Sequence, residues 1–86
     1  VVLAYQEPPM PRISDRQHIV QDIRDKITSG EYGPNAKLPS LRELVAHYGV
    51  SAEPVRSALL ILQAEGLVEG HQGKGVFVVD RPRPTG

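Results

Sequence analysis

Cysteine is absent from all 86 residues, which excludes disulfides, thiolate catalysis and cysteine-ligated zinc together. The absence suits a reducing cytoplasm, and a chain this small with no staple must fold on its apolar core alone. Charge of one sign is missing too. Ten Lys+Arg balance ten Asp+Glu, which argues against a broadly basic nucleic-acid coat and equally against an acidic disordered tail. No apolar run approaches the roughly 18 residues of a membrane span. Val1–Ala4 is too short for a signal-peptide core and lacks the basic flank. There is no internal repeat and no low-complexity block. What remains is 40% hydrophobic residues in one small domain, expected to be soluble and intracellular.

Proline marks the ends of that domain. Gln6–Pro11 holds three prolines and the chain closes on Arg81, Pro82, Arg83, Pro84, Thr85 and Gly86. Residues 1–13 and 80–86 are therefore expected to be flexible segments around a domain at 14–79. Glu31–Pro39, rich in Gly, Pro and Asn, reads as a loop outside the core.

Three helical patterns come first. One starts at Ser14 or Asp15, either of which can cap, and runs to Ser29, with Ile19, Ile23 and Ile27 in one stripe. The second opens on a capping box, Ser40-Leu41-Arg42-Glu43, and buries Leu41, Leu44, Val45 and Tyr48 before Gly49 stops it. The third begins at Ser51, with Glu53 at the positive end of the helix dipole and Pro54 in the first turn, where a missing N–H costs little. Val55, Ala58, Leu59 and Leu62 form its apolar stripe. Leu60 and Ile61 lie off that stripe, so a second covered side is expected. The period then changes: Leu67–Glu69 and Val76–Val79 read as strands around a flexible loop, Gly70–Gly75. The fold class is α+β, mainly α: three helices followed by a two-stranded hairpin.

The join between the second and third helices is the informative unit. Tyr48, Gly49, Val50 and Ser51 make the short glycine-containing turn of a helix-turn-helix. Val50 serves as the apolar plug, and Ser51 caps the third helix with its N-terminal turn pointing outward. A helical hairpin turning on glycine can equally be plain core structure. The Gly-rich hairpin beyond it distinguishes them: together they describe a winged helix, with the third helix in the major groove and the tip on an adjacent groove or backbone.

In this order the motifs resemble the N-terminal domain of the GntR family of bacterial transcriptional regulators. The residues concerned are Ser29–Tyr32, Gly33–Ser40, Leu41–Leu44, Gly49–Ser51, Pro54–Leu59, Leu62–Val68 and Gln72–Val78. The resemblance covers about residues 15 to 79 and implies a sequence-specific DNA-binding regulator, expected to act as a repressor on double-stranded operator DNA in the cytoplasm, at the bacterial nucleoid. It implies DNA contacts from Arg42, from Ser51, Ala52, Glu53, Pro54 and Arg56, and from Gln72, Gly73 and Lys74. It further implies a homodimer formed through a C-terminal effector domain, toward which Arg81–Gly86 reads as a linker. No cofactor and no small-molecule ligand can be inferred. Four positions depart from the family pattern: Ala52 stands where Arg is usual and Glu53 where a small polar residue is usual. Asn35 replaces Gly, and Leu41 replaces an acidic or hydroxyl residue. Glu53 is expected to point sideways and serve the helix dipole.

The residues themselves support the DNA assignment in specific ways. Arg42 sits in the first turn of its helix, a poor place for a cation unless an external anion or base edge meets it. Arg56 lies opposite the Leu62 stripe, suited to guanine or phosphate. Lys74 between two glycines suits a phosphate, because a backbone without side chains can approach a groove closely. His18, His47 and His71 fall on three different elements with no i, i+4 pairing and no carboxylate partner nearby in sequence, so a metal site is not expected. Gly70–Gly75 lacks the spacing of a P-loop, and no nucleophile or paired-carboxylate arrangement stands out. An enzyme is not expected. The rival reading is a winged helix used for protein contact, for which the neutral charge, Ala52 and Glu53 speak.

Overall fold

The computed structural model describes residues 14–80. The flexible segment expected over 1–13, and all but Asp80 of that expected over 80–86, lie outside the described residues. The element order is α1 (Asp15–Ser29), α2 (Leu41–Tyr48), α3 (Ala52–Ala64), β1 (Val68–His71) and β2 (Gly75–Val78).

Local chemistry sets each boundary. Ser14, rather than Asp15, caps α1: its hydroxyl accepts the Gln17 N–H at 3.1 Å, and the Gln17 side chain accepts the Ser14 N–H at 3.1 Å. Ser40 and Glu43 form the expected reciprocal box at α2, with the Ser40 N–H donating to Glu43 Oε1 at 2.8 Å. Gly49 ends α2 at φ 67°, ψ 36°, a left-handed conformation that most side chains resist, and its N–H donates to Val45 O at 2.9 Å.

α1 and α2 both pack on α3. Ile19, Val20 and Ile23 of α1 meet Val55, Ala58 and Leu62 of α3, all buried, with Leu44 contributed by α2. The face expected of α2 narrows to that leucine; Leu41, Val45 and Tyr48 are only half-buried, because a two-turn helix touches the core along one edge. Ile61 packs partly against the core, but Leu60 is 63% exposed, so the second covered side expected for α3 stops short of it.

The hairpin is longer, and its loop shorter, than the residue pattern predicts. Val68 pairs with Val78, Glu69 with Phe77, Gly70 with Val76 and His71 with Gly75, leaving only Gln72–Lys74 as the turn. The Lys74 N–H donates to His71 O at 2.8 Å and closes it. Glycines at 70 and 75 read as loop by propensity, yet ladder hydrogen bonds hold them in strands.

The loop expected over 31–39 also joins the sheet. The Asn35 N–H donates to Val78 O, the Val78 N–H to Ala36 O and the Leu38 N–H to Val76 O, at 3.1, 2.9 and 2.8 Å, and Lys37 bridges Phe77. Leu38 is thereby driven into the core at 2% exposure, against the expectation that this stretch stays outside it. Asn35 adopts φ 66°, the left-handed turn that its short side chain tolerates. The sheet turns Val68, Val78 and Leu38 inward; Lys37, Glu69, His71 and Phe77 share the outer face, as strand alternation requires.

Candidate nucleic-acid interface

The turn between α2 and α3 has the build of a helix-turn-helix joint. Gly49 reverses the chain and Val50 packs partly against the core, which fixes the two helices against each other. One expectation changes at the next residue. Ser51 occupies the cap position, yet its hydroxyl accepts no backbone hydrogen bond. One of the two donors it could take is missing. A capping hydroxyl takes the N–H of the second or third helical residue, and the third is Pro54, which has none. The α3 N-terminus therefore presents an uncommitted hydroxyl beside helix N–H groups, on an exposed residue.

Of the described cations, Arg24 and Lys26 enter ion pairs, and Arg16, Lys37, Arg42, Arg56 and Lys74 do not. Arg24 makes a two-pronged pair with Glu65, at 2.6 and 3.2 Å, tying α1 to the end of α3. Lys26 pairs with Asp22 at 3.1 Å. Asp22 also accepts the Tyr48 hydroxyl at 2.6 Å, which pins α2 to α1. That hydrogen bond, ahead of the Lys26 contact, holds the Asp22 carboxyl below its usual range; burial and Asp22 together push the Tyr48 hydroxyl well above its own. These groups are structural. Arg42, Arg56 and Lys74 are different: all three are exposed and, among the described residues, none enters an ion pair.

Each free cation stands on its own element. Arg42 is in the first turn of α2, where the capping box already occupies Glu43. Hydrogen bonds from the Ser40 N–H and then its hydroxyl hold that carboxyl below the usual range. Arg56 lies one turn into α3, next to buried Val55 and on the outward side; Ser51 and Glu53 are exposed, while Ala52 and Pro54 are half-buried. Gln72, Gly73 and Lys74 form the exposed turn of the hairpin.

Two features are not legible in the sequence. Lys37 also enters no ion pair among the described residues, and the loop-like composition around it gives no hint of a place on the sheet. His71, expected to lack a carboxylate partner, has one: its Nε2 lies 3.3 Å from Glu69 Oε2, and its ring meets Phe77 edge-on at 5.1 Å. Residues two apart on a strand share a face, so the pair forms because β1 extends as far as His71.

Three helices, a glycine-turned joint between the second and third, and a β-hairpin bearing an exposed tip define a winged helix-turn-helix domain. The model for bacterial regulatory proteins of the gntR family matches residues 15–78. The chain belongs to that family, and what it carries is the family's DNA-binding domain. It is 39% identical over 64 residues to the Uxu operon transcriptional regulator of Escherichia coli (strain K12), covering 74% of this chain and 25% of that protein. It is 41% identical over 64 residues to the histidine utilization repressor of Klebsiella aerogenes, covering 74% and 27%. Among solved structures, AraR(DBD) in complex with operator ORX1 superposes with a TM-score of 0.79 at 30% identity, covering 88% of this chain and 93% of that one. The chain spans between 16% and 32% of the length of eight curated relatives that it matches.

Proposed function

We propose that this domain reads operator DNA for a transcriptional repressor, with α3 in the major groove and the hairpin tip on the adjacent backbone or groove. Arg42, Ser51–Pro54, Arg56 and Gln72–Lys74 are the contacting residues. The observation that carries this is the sorting of charge. Arg24 and Lys26 are consumed by internal pairs, whereas Arg42, Arg56 and Lys74 are held out unpaired on the two helices of the joint and on the wing; of the other described cations, Arg16 on α1 and Lys37 are also in no ion pair. Three separated cations on a neutral domain make a weak non-specific binder that needs a matched site. The structural likeness to AraR(DBD), solved with operator, supports the same use of the fold.

The regulator is proposed to act in the bacterial cytoplasm as a homodimer assembled through an effector domain, without catalytic activity of its own. Selection from a random duplex pool tests this through the symmetry of the product, since a dimer selects a palindrome. On the selected duplex, Arg56→Ala should weaken binding by about 1–3 kcal/mol and relax preference at one base position. Retained affinity in both Arg56→Ala and Arg42→Ala mobility-shift titrations would show that the DNA face is assigned wrongly.

Exposed Leu60, one turn beyond Arg56 on α3, favours the second reading, a winged helix for protein contact. Salt separates the two: DNA binding loses about 0.9 log units of affinity per phosphate contact for each log unit of salt, whereas an apolar contact does not.

A further inference from the structure

The wing contains a cation outside the set just described. Lys37 bridges Phe77, so it extends the hairpin by a third β segment, on the edge away from β1. Its side chain does not stand straight out from the sheet. It leans along the sheet toward the hairpin turn, across the backbone of Gly75: a Cβ built there would lie 2.9 Å from Lys37 Cε and 3.7 Å from Lys37 Nζ. The bare backbone at position 75, next in sequence to Lys74, is the seat for the lysine stem. Gly75 has φ 122°, a backbone conformation that calls for glycine at that residue.

On its other side, Lys37 lines a cleft with Glu31, with Ser40 and Glu43 at the start of α2, and with His47 in its last turn. The carboxylates of that cleft, Glu31 and Glu43, form no ion pair with Lys37; Glu43 accepts the Ser40 N–H at 2.8 Å, and the Lys37 charge adds a smaller lowering of its pKa. Glu69, on the outer face of the same sheet, is engaged with His71. The Lys37 ammonium thus lies between the helix that carries Arg42 and the turn that carries Lys74, with no carboxylate in ion-pair contact. A lysine laid along a backbone has already surrendered much of its rotamer freedom, so its ammonium meets an anion at lower entropic cost than a free one.

From this geometry we infer that Lys37 is a fourth DNA-contacting cation, seated by Gly75 to hold a backbone phosphate between those met by α2 and by the wing tip. The inference rests on the DNA reading above. It assigns Lys37 a positioning role that is blind to base sequence, because an ammonium on phosphate fixes register without reading an edge.

The test uses the 86-residue chain and two labelled duplexes, one selected from a random pool and one of scrambled sequence, titrated by fluorescence anisotropy across a series of KCl concentrations. Lys37→Met keeps the stem over Gly75 and removes the charge. The expected result is a log–log salt slope shallower by about 0.9, with the same fold-loss on both duplexes; Lys37→Arg should keep the wild-type slope. An unchanged slope in Lys37→Met, or a loss confined to the selected duplex, overturns the inference while leaving the DNA reading intact. Failure of the wild-type chain to bind either duplex in a salt-dependent way overturns the DNA reading and this inference with it.

Discussion

At the scale of single residues, the same side chain serves two purposes depending on the residue three positions further along. Ser40 and Ser51 both open helices, yet only Ser40 closes a capping box. Ser40→Ala should therefore lower stability by about 1 kcal/mol in urea melts, while Ser51→Ala leaves the midpoint nearly unchanged and weakens duplex binding. Equal destabilisation by both would contradict the geometry. The sequence already separates the two serines: Glu43 completes a box at Ser40, whereas Pro54, three residues after Ser51, removes one of the two N–H groups its hydroxyl could accept. The Asp22–Tyr48 link is hidden in the sequence, since 26 residues separate the partners. Tyr48→Phe should cost about 1 kcal/mol near neutral pH, the value of a charge-assisted hydrogen bond discounted for partial exposure. The sign with pH comes from each partner in turn. The Asp22 carboxyl is depressed, so its contribution is present above the ordinary value of 3.8 and is lost as pH falls through the lower folded value. The Tyr48 hydroxyl is raised, so its contribution is full below 10.0 and is lost as pH climbs beyond it. Chemical denaturation of wild type and Tyr48→Phe should accordingly converge at both extremes.

At the scale of elements, the sequence announces clearly whatever local chemistry decides. The capping residue of α2, the glycine at the joint and the isoleucine stripe of α1 all rest on neighbours within a few positions, and all three are where the spacing puts them. The parts that differ depend on partners far along the chain. Residues 35–38 lack strand propensity, and only pairing with β2 recruits them and buries Leu38. Gly70 and Gly75 read as loop for the same reason. Leu38→Ala should behave as a core truncation, lowering stability by about 2–5 kcal/mol. Leu60→Ala should stay within about 0.5 kcal/mol, because Leu60 is exposed on α3. Equilibrium urea unfolding of the two variants side by side checks this, and a comparable loss from both would mean that Leu60 is covered. The candidate interface is legible in part: Arg42, Arg56 and Lys74 emerge from placing cations on a winged helix, whereas Lys37 comes into view only with the third β segment.

At the scale of the whole molecule, zero net charge conceals a division of labour rather than an even scatter. Among the described residues, Arg24–Glu65 ties α1 to the end of α3, and Lys26–Asp22 pairs within α1. The cations in no ion pair are Arg16 at the start of α1 and those on α2, the front of α3 and the sheet. The start of α3 gives this arrangement a dynamic side. With Pro54 withholding its N–H and Ser51 accepting nothing, the first turn lacks the stop that α1 and α2 possess. Under the proposed function a DNA phosphate supplies it, accepting from the serine hydroxyl and the bare amides at once. Docking and completion of the helix then become one event. Amide exchange at Ala52 and Glu53 should be fast in the free chain and slow on the duplex, with the interior of α3 changing little; equal protection in both states would show that the turn is already sealed without DNA.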